Sequence, residues 1–246
     1  MKQSRLLPTV KQALPLALAI LLVAITSVSN AAEQAQDTKD SRVNKPLSMR
    51  PSILYKPPLY DTPQTEVSRS TESKQGETSI LQVLAPDHTG LTLQSQPTLY
   101  WYASAPVAVK FAITVMGKQK TKPLLEVDIK KATSIQQLNL GKHGITLQPK
   151  RSYQWSVTPV MDKNNQSAAA IASGLIERIE PGEGLSSRIK KSHGTELVNV
   201  YAIEGIWYDA LETISSMIDK SPEDPSLVAI RLSLLEQVGV QIVAKN

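Results

Sequence analysis

The sequence predicts an α+β fold in which an antiparallel β-sandwich comes first and a small α-helical tail follows. Two observations support this: apolar residues alternate with polar ones over residues 79–181, and they recur at four-residue steps over residues 182–246. A chain of 246 residues is long enough for one sizeable domain or two small ones. Residues 1–31 and 32–78, which precede the sandwich, have different compositions and are interpreted separately.

Residues 1–31 have the layout of a secretory signal peptide. Lys2, Arg5 and Lys11 precede an apolar run, and small residues provide a cleavage site after Ala31. The apolar run is shorter than the ~20 residues that a membrane span requires, which favours cleavage over retention as an anchor. We therefore expect an exported protein, periplasmic or secreted, with no stable membrane insertion after cleavage.

Charge and cysteine content exclude several classes of function. The net charge is +5 for the whole chain and +2 after removal of the leader, so the basic character is largely a targeting signal and no nucleic-acid partner is expected. The chain contains no cysteine, which excludes disulfides, thiolate catalysis and cysteine-ligated metals.

The three histidines all have structural explanations. His88 lies in a turn-forming stretch, where the adjacent side chains of Asp87 and His88 are expected to diverge rather than form a dyad. His143 lies in another turn, and His193 follows the end of a helix. The sequence has no nucleophile elbow, no histidine pair with zinc spacing and no phosphate-binding glycine loop. We therefore predict no catalytic residues, no metal, no cofactor and no enzymatic activity.

Residues 32–78 are predicted to be a disordered, proline-containing linker. Seven acidic and seven basic residues are interspersed with five prolines and few large apolar residues. Within it, the sequence Tyr-Lys-Pro-Pro-Leu-Tyr at 55–60 could be a stiff spacer, could pack on its own domain, or could be a polyproline ligand. The composition favours the spacer.

Seven short strands are predicted in residues 79–181. Val107–Val115 alternates most clearly, and Thr98–Ala103 precedes it, with a turn expected at Ala105–Pro106. The other strands are expected at residues 80–84, 125–129, 135–140, 153–160 and 171–179.

The segment around Tyr153 resembles the tyrosine corner of fibronectin type III and related immunoglobulin-like domains. Its pattern is Leu-x-Pro-x-x-x-Tyr-x-Trp over residues 147–155. The resemblance implies that Tyr153 opens a strand and that its hydroxyl hydrogen-bonds to the backbone upstream. Trp101 and Trp155 would then pack together in the core between the sheets, which we favour over a cofactor-stacking role.

The tail is predicted to be helical. The pattern Gly-x-Trp-x-x-Ala-x-x-x-Ile over residues 205–214 resembles the second helix of a tetratricopeptide repeat. Asp224 and Pro225 predict the N-cap and first residue of a last helix that ends near Val238. A single helix pair of this type cannot bury its apolar faces alone, so it must dock on the sandwich, on a partner or on another copy.

Two groups of residues are candidates for binding. Trp207, Tyr208 and Asp209 could form the rim of a protein-binding face, with packing inside the chain as the alternative for Trp207. Residues 79–181 carry a net charge of +5, and residues 182–246 carry −3. Lysines in predicted loops could contact a polyanion: Lys118, Lys120, Lys122, Lys130 and Lys131.

Motifs spread over most of the chain resemble a bacterial family, the domain of unknown function 928. They are Tyr-Lys-Pro-Pro at 55–58, Ala-Pro-Asp-His-Thr-Gly-Leu-Thr at 85–92, Pro-Thr-Leu-Tyr-Trp-Tyr at 97–102 and Gly-Ile-Trp-Tyr-Asp-Ala-Leu at 205–211. The resemblance implies an exported bacterial protein and implies no activity.

The function predicted from these observations is that of an exported envelope protein acting as a non-enzymatic protein-interaction or structural module. Its partner is expected to be another envelope protein. The alternative is a periplasmic β-sandwich that binds an anionic glycan or a peptidoglycan fragment. The sequence leaves the oligomeric state open.

Overall fold

Seven β-strands precede four α-helices in the part of the chain that the computed structural model describes, residues 53–59, 70–72, 80–117, 122–160 and 171–242. The strands are β1 (Ser70–Glu72), β2 (Ile80–Val83), β3 (Gly90–Thr92), β4 (Thr98–Val115), β5 (Leu125–Asn139), β6 (Ser152–Pro159) and β7 (Ala172–Arg178). The helices are α1 (Glu183–Lys191), α2 (Gly194–Ile203), α3 (Trp207–Lys220) and α4 (Pro225–Gln237). This order confirms the predicted α+β class.

Strand β4 is the centre of the sheet. Along one edge it pairs with β5, and along the other edge its first half pairs with β2 and its second half with β6. The strand order is β1-β2-β4-β6-β7-β3, with β3 parallel to β7 and the other pairs antiparallel. Hydrogen bonding thus joins the seven strands into one sheet, and the predicted division into two sheets is not seen in the pairing.

The predicted turn at Ala105–Pro106 is wrong, because β4 continues through it. The register shifts between Ala103 and Val107, and Ser134, which lies opposite Ala103 on β5, has a positive φ of 60°. Proline has no N–H to give to a ladder, so Pro106 is accommodated in this irregularity as a bulge within one strand. The two short strands predicted at 125–129 and 135–140 likewise form the single strand β5, which continues through the register shift opposite β4.

Alternation along β4 builds the core. Val109, Phe111 and Ile113 are fully buried on its inner face. The ring of Phe111 lies 6.1 Å, centroid to centroid, from each of Trp101 and Trp155, both of which are buried. The core placement of the two tryptophans is therefore confirmed, with Phe111 between them.

Tyr153 forms the backbone contact that the resemblance to a tyrosine corner implied. It is the second residue of β6, it is buried, and its hydroxyl accepts a hydrogen bond of 2.9 Å from the backbone N–H of Gln148. The bond fixes the loop that leads into β6.

We expect Tyr153→Phe to lower the free energy of unfolding by about 1–2 kcal/mol, because the N–H of Gln148 would lose its partner. The urea midpoint of the variant measures the loss. Tyr201→Phe is the matched control, since the Tyr201 hydroxyl makes no hydrogen bond to the described residues. Equal midpoints for Tyr153→Phe and the original chain would contradict the corner contact.

The last helix begins as predicted. Asp224 is the N-cap and accepts a hydrogen bond of 2.9 Å from the backbone N–H of Ser226, while Pro225 is the first helical residue. The resemblance of α2 and α3 to a tetratricopeptide repeat is not confirmed. None of the helices in the described part of the chain has the length and apolar character needed to cross a membrane.

The linker prediction is wrong for residues 53–59, which pack on the helices, and for Ser70–Glu72, which form β1 and pair with β2. The side chain of Gln237 accepts from the N–H of Tyr55 and donates to the carbonyl of Ile53, and the N–H of Lys56 donates to the carbonyl of Ala202. Tyr55 is only 6% exposed. These contacts stabilise a segment whose composition alone indicated disorder. Most other residues of the predicted linker lie outside the described part of the chain, as do the predicted signal peptide and its cleavage site.

Candidate functional site

The start of α3 is buried against the sheet. Trp207, Tyr208 and Asp209 are all buried, and the indole N–H of Trp207 donates to the carbonyl of Leu84 over 3.0 Å. The prediction that these three residues form the rim of a protein-binding face is therefore wrong, and the alternative for Trp207, packing inside the chain, is confirmed. Their side chains pack and hydrogen-bond within the chain, because the helical tail docks on the sheet.

Tyr208 connects α3 to two strands. Its hydroxyl accepts from the indole N–H of Trp155 and donates to the carbonyl of Leu175, both over 2.9 Å. A Cβ atom on Gly90 would lie 2.6 Å from the Tyr208 ring, so glycine is needed for this close approach. Burial raises the pKa of Tyr208, so the hydroxyl stays neutral and acts as a structural link.

Asp209 is a buried acid beside Tyr208. Its Oδ2 accepts from the hydroxyl of Thr92 over 2.7 Å and from the N–H of Leu93 over 3.1 Å. Burial raises the pKa of Asp209 from 3.8 to about 7, against the lowering effect of those two hydrogen bonds, and the charge of Glu212 raises it further. Glu212 itself accepts from the hydroxyl of Thr98 over 2.7 Å. The two acids fasten α3 to β3 and β4.

The side chains of Tyr55, His88 and Asp87 form a polar row, and the Tyr55 ring lies 5.1 Å, centroid to centroid, from that of Trp207. The hydroxyl of Tyr55 is 2.9 Å from Nε2 of His88, and Nδ1 of His88 is 3.3 Å from Oδ1 of Asp87. The prediction that Asp87 and His88 diverge is therefore wrong. Burial raises the pKa of Tyr55, so the row ends in a neutral hydroxyl rather than in an activated nucleophile.

Three of the five lysines predicted to contact a polyanion lie in the described part of the chain. Lys122, Lys130 and Lys131 are exposed before and along β5, whereas Lys118 and Lys120 lie outside the described residues. Lys130 and Lys131 fall at the register irregularity between Ile129 and Ala132 of β5.

A different pair of cations lines a cleft that the sequence did not reveal. Lys150 and Arg151 lie beside Thr89, Met116 and Ser152 around a space of about 470 Å³. The backbone of Lys150 is left-handed, with φ 58°. A positive φ at lysine depends on the surrounding loop and leaves no mark in the residue pattern.

Strand β5 presents the longest open edge in the described part of the chain. It has 15 residues, β4 pairs with its inner edge, and no described strand pairs with its outer edge. Half-buried residues alternate with exposed ones in its first half: Leu125, Val127 and Ile129 against Glu126, Asp128 and Lys130.

The second half of β5 is irregular. Ser134 has its left-handed backbone there, and the side-chain amide of Gln136 donates to the carbonyls of Thr133 and Ile135. A side chain that bonds its own strand in this way competes with an added strand. The regular part of the open edge is therefore residues 125–129. We call residues 125–130, which add the first residue of the irregularity, the β5 edge.

Comparisons with known proteins identify one relationship. A family model described as Domain of Unknown Function (DUF928) matches residues 64–246. No curated protein and no solved structure matches the chain. Among the described residues, no group of three or more metal-ligating side chains could hold a metal ion.

Proposed function

The chain belongs to the DUF928 family, and we propose that it is an exported, non-enzymatic envelope protein that binds protein partners by strand addition at the β5 edge. The open edge of β5 carries this proposal. Such an edge offers a row of backbone N–H and C=O groups to which an extended peptide segment can add as a further strand. Export is supported by the composition of residues 1–31.

The β5 edge has no proline and no inward-pointing charge, and its irregularity is confined to its last residue, Lys130. Natural sheets block their edges with proline, bulges or charges that point inward. Here the inward positions hold Leu125, Val127 and Ile129, and the charges of Glu126 and Asp128 point outward. The irregular second half of β5 is protected and the first half is not, so we place the partner on the first half.

The proposal that the protein is not an enzyme is supported by how its buried polar groups are used. Asp209 hydrogen-bonds to Thr92 and Leu93, and Tyr208 hydrogen-bonds to Trp155 and Leu175. All four bonds join helix α3 to the sheet or to the loop after β3. Groups held in this way are positioned for packing rather than for contact with a substrate.

We also propose that the sheet closes into an immunoglobulin-like sandwich. Support comes from β4, whose one edge pairs with both β2 and β6, and from contacts between β2 and β7, which do not pair. A long, bulged strand whose first half belongs to one layer and whose second half belongs to the other would fold the sheet over the core around Phe111.

A second candidate function is binding of an anionic glycan or peptidoglycan fragment. The cleft favours it, because the two cationic residues Lys150 and Arg151 line the same space. The lysines at 122, 130 and 131 would be secondary contacts.

We expect capture of envelope proteins by the immobilised protein to depend on the β5 edge. Neighbouring residues of a strand direct their N–H groups to opposite edges, so only one of Glu126→Pro and Val127→Pro removes an N–H from the outer edge. The other removes an N–H from the ladder with β4. The variant that keeps the original urea midpoint should therefore lose the partner, which is detected by mass spectrometry of proteins bound from envelope extract.

Each proline variant is the control for the other, since both introduce proline and the two positions are neighbours. Partner capture that survives in the variant with the unchanged midpoint would contradict strand addition. Retention on purified cell-wall polymer, lost in Arg151→Gln but kept in both proline variants, would favour the glycan instead.

A further inference from the structure

We propose that the partner at the β5 edge is a second copy of this chain, paired antiparallel about a two-fold axis at Asp128. The inference rests on the proposed function, because it names the partner of the same edge. The charge order along the exposed face carries it: Glu126 and Asp128 are acidic and Lys130 is basic. An antiparallel copy presents the reverse order, so the edge is complementary to itself.

Antiparallel pairing restricts the registers to those centred on a residue. Side chains directly opposite each other lie on the same face of the sheet, with Cβ atoms about 4.5–5.5 Å apart. Centred on Asp128, the register places Glu126 opposite Lys130 twice and Val127 opposite Ile129 twice. Both faces are then matched, the charged pairs on the outside and the β-branched pairs on the inside.

The neighbouring registers are less favourable. Centred on Val127, the register would set Glu126 against Asp128, two like charges. Centred on Ile129, it would set Asp128 against Lys130 but also Val127 against Lys131, and it would pass through the whole irregularity that follows Ile129. The Asp128 register spans residues 126–130, so that only its last residue, Lys130, falls in that irregularity.

The two Asp128 side chains meet at the proposed axis, and a cation on each copy offsets their repulsion. Nζ of Lys110 on β4 lies 3.9 Å from Oδ1 of Asp128. Asp128 is 75% exposed and Lys110 is 48% exposed, so both can adjust in solvent. Because each copy covers the edge of the other, association ends at a dimer rather than continuing into a fibre.

The charge pairs give a test by reversal. Sedimentation equilibrium of the purified full chain should show a monomer–dimer equilibrium. Glu126→Lys and Lys130→Glu should each weaken it about tenfold or more, because two opposite pairs become two like pairs. The double variant should recover the original constant to within about threefold, since the pairs are restored with exchanged signs. Lys190→Glu, on an exposed position of α1, is the control and should leave the constant unchanged.

The absence of cysteine from the sequence permits a second test. Asp128→Cys should form a disulfide-linked dimer under mild oxidation, because the two copies of residue 128 face each other at the axis. Glu126→Cys and Lys130→Cys should not, since each residue would be about 13 Å along the strand from its counterpart.

Two results would overturn the inference: a protein that sediments as a monomer at every concentration, or a dimer that is unaffected by both charge reversals and is not cross-linked at residue 128. Neither result decides the proposed function, which fails only if no other envelope protein is captured through the β5 edge either. A monomer that captures a different protein through that edge would keep the proposed function and exclude the second copy as its partner.

Discussion

A chain shortened to end at Pro181 is expected to lose cooperative folding. Three of the four helices, α2, α3 and α4, contribute buried side chains to the same hydrophobic core as the strands, among them Trp207, Leu211 and Ile214 of α3. Each large buried side chain contributes about 2–5 kcal/mol, whereas the whole free energy of unfolding of a domain is about 5–15 kcal/mol. Loss of these side chains alone would therefore exhaust the stability of the sheet.

The polar groups at the helix–sheet junction strengthen this expectation. The carbonyls of Leu84 and Leu175 and the indole N–H of Trp155 all bond to side chains of α3. Without the helix they would face solvent or remain unpaired, and each buried unpaired group costs about 1–3 kcal/mol.

Urea unfolding followed by the fluorescence of Trp101 and Trp155 measures the effect. We expect a broad transition with a reduced m-value for the shortened chain. A chain that ends at Ile242 is the control, since it keeps every described helix and should unfold sharply. A sharp transition of the chain ending at Pro181 would show that the sheet folds alone, and would restore the tail as a separate interaction module.

Local patterns predicted the parts of this fold that local physics determines. The alternation around Phe111 gave the buried face of β4, and Asp224–Pro225 gave the beginning of α4. The tyrosine-corner motif gave the contact between Tyr153 and the backbone before it. In each case the interacting groups lie within a few residues of each other, or repeat with the period of one element.

The contacts that the sequence did not predict join residues far apart in the chain. Tyr55 and Gln237 are separated by 182 residues, and no spacing relates them. Trp207 was an ambiguous case, because an amphipathic helix looks the same whether its apolar face meets a sheet or a partner. Composition predicted a linker at residues 53–59, because composition contains no information about the distant helices on which these residues pack.

The open edge of β5 was also beyond the sequence. Alternation identifies a strand, but it does not tell which strands pair with it, so a central strand and an edge strand look alike. The turn predicted at Ala105–Pro106 was wrong for a related reason. Proline is compatible with both a turn and a bulge, and the pairing partner of β4 decides between them.

The stability of the protein is expected to rise as the pH falls from about 8 to about 4, because of Asp209. Burial raises its pKa in the folded chain from 3.8 to about 7, so between these values the folded state binds a proton that the unfolded state releases. Proton uptake on folding stabilises the folded state at lower pH. A difference of about three pKa units corresponds to about 4 kcal/mol over the full range.

Asp209→Asn isolates this contribution. The amide keeps an oxygen that can accept from Thr92 and Leu93, and it carries no titratable proton. We therefore expect the variant to be more stable than the original chain by about 4 kcal/mol at pH 8 and to be nearly equal to it at pH 4. The difference between their urea-derived free energies at each pH is the measurement, since titrations common to both chains cancel.

Asp219→Asn serves as the matched control, because Asp219 lies on the exposed end of the same helix. Its free energy of unfolding should keep the pH dependence of the original chain. Parallel curves for Asp209→Asn and the original chain would mean that Asp209 is not held in a proton-binding state by burial. The difference in the free energy of unfolding between Asp209→Asn and the original chain should grow as the pH rises, because α3 buries the carboxyl group of Asp209 against the sheet.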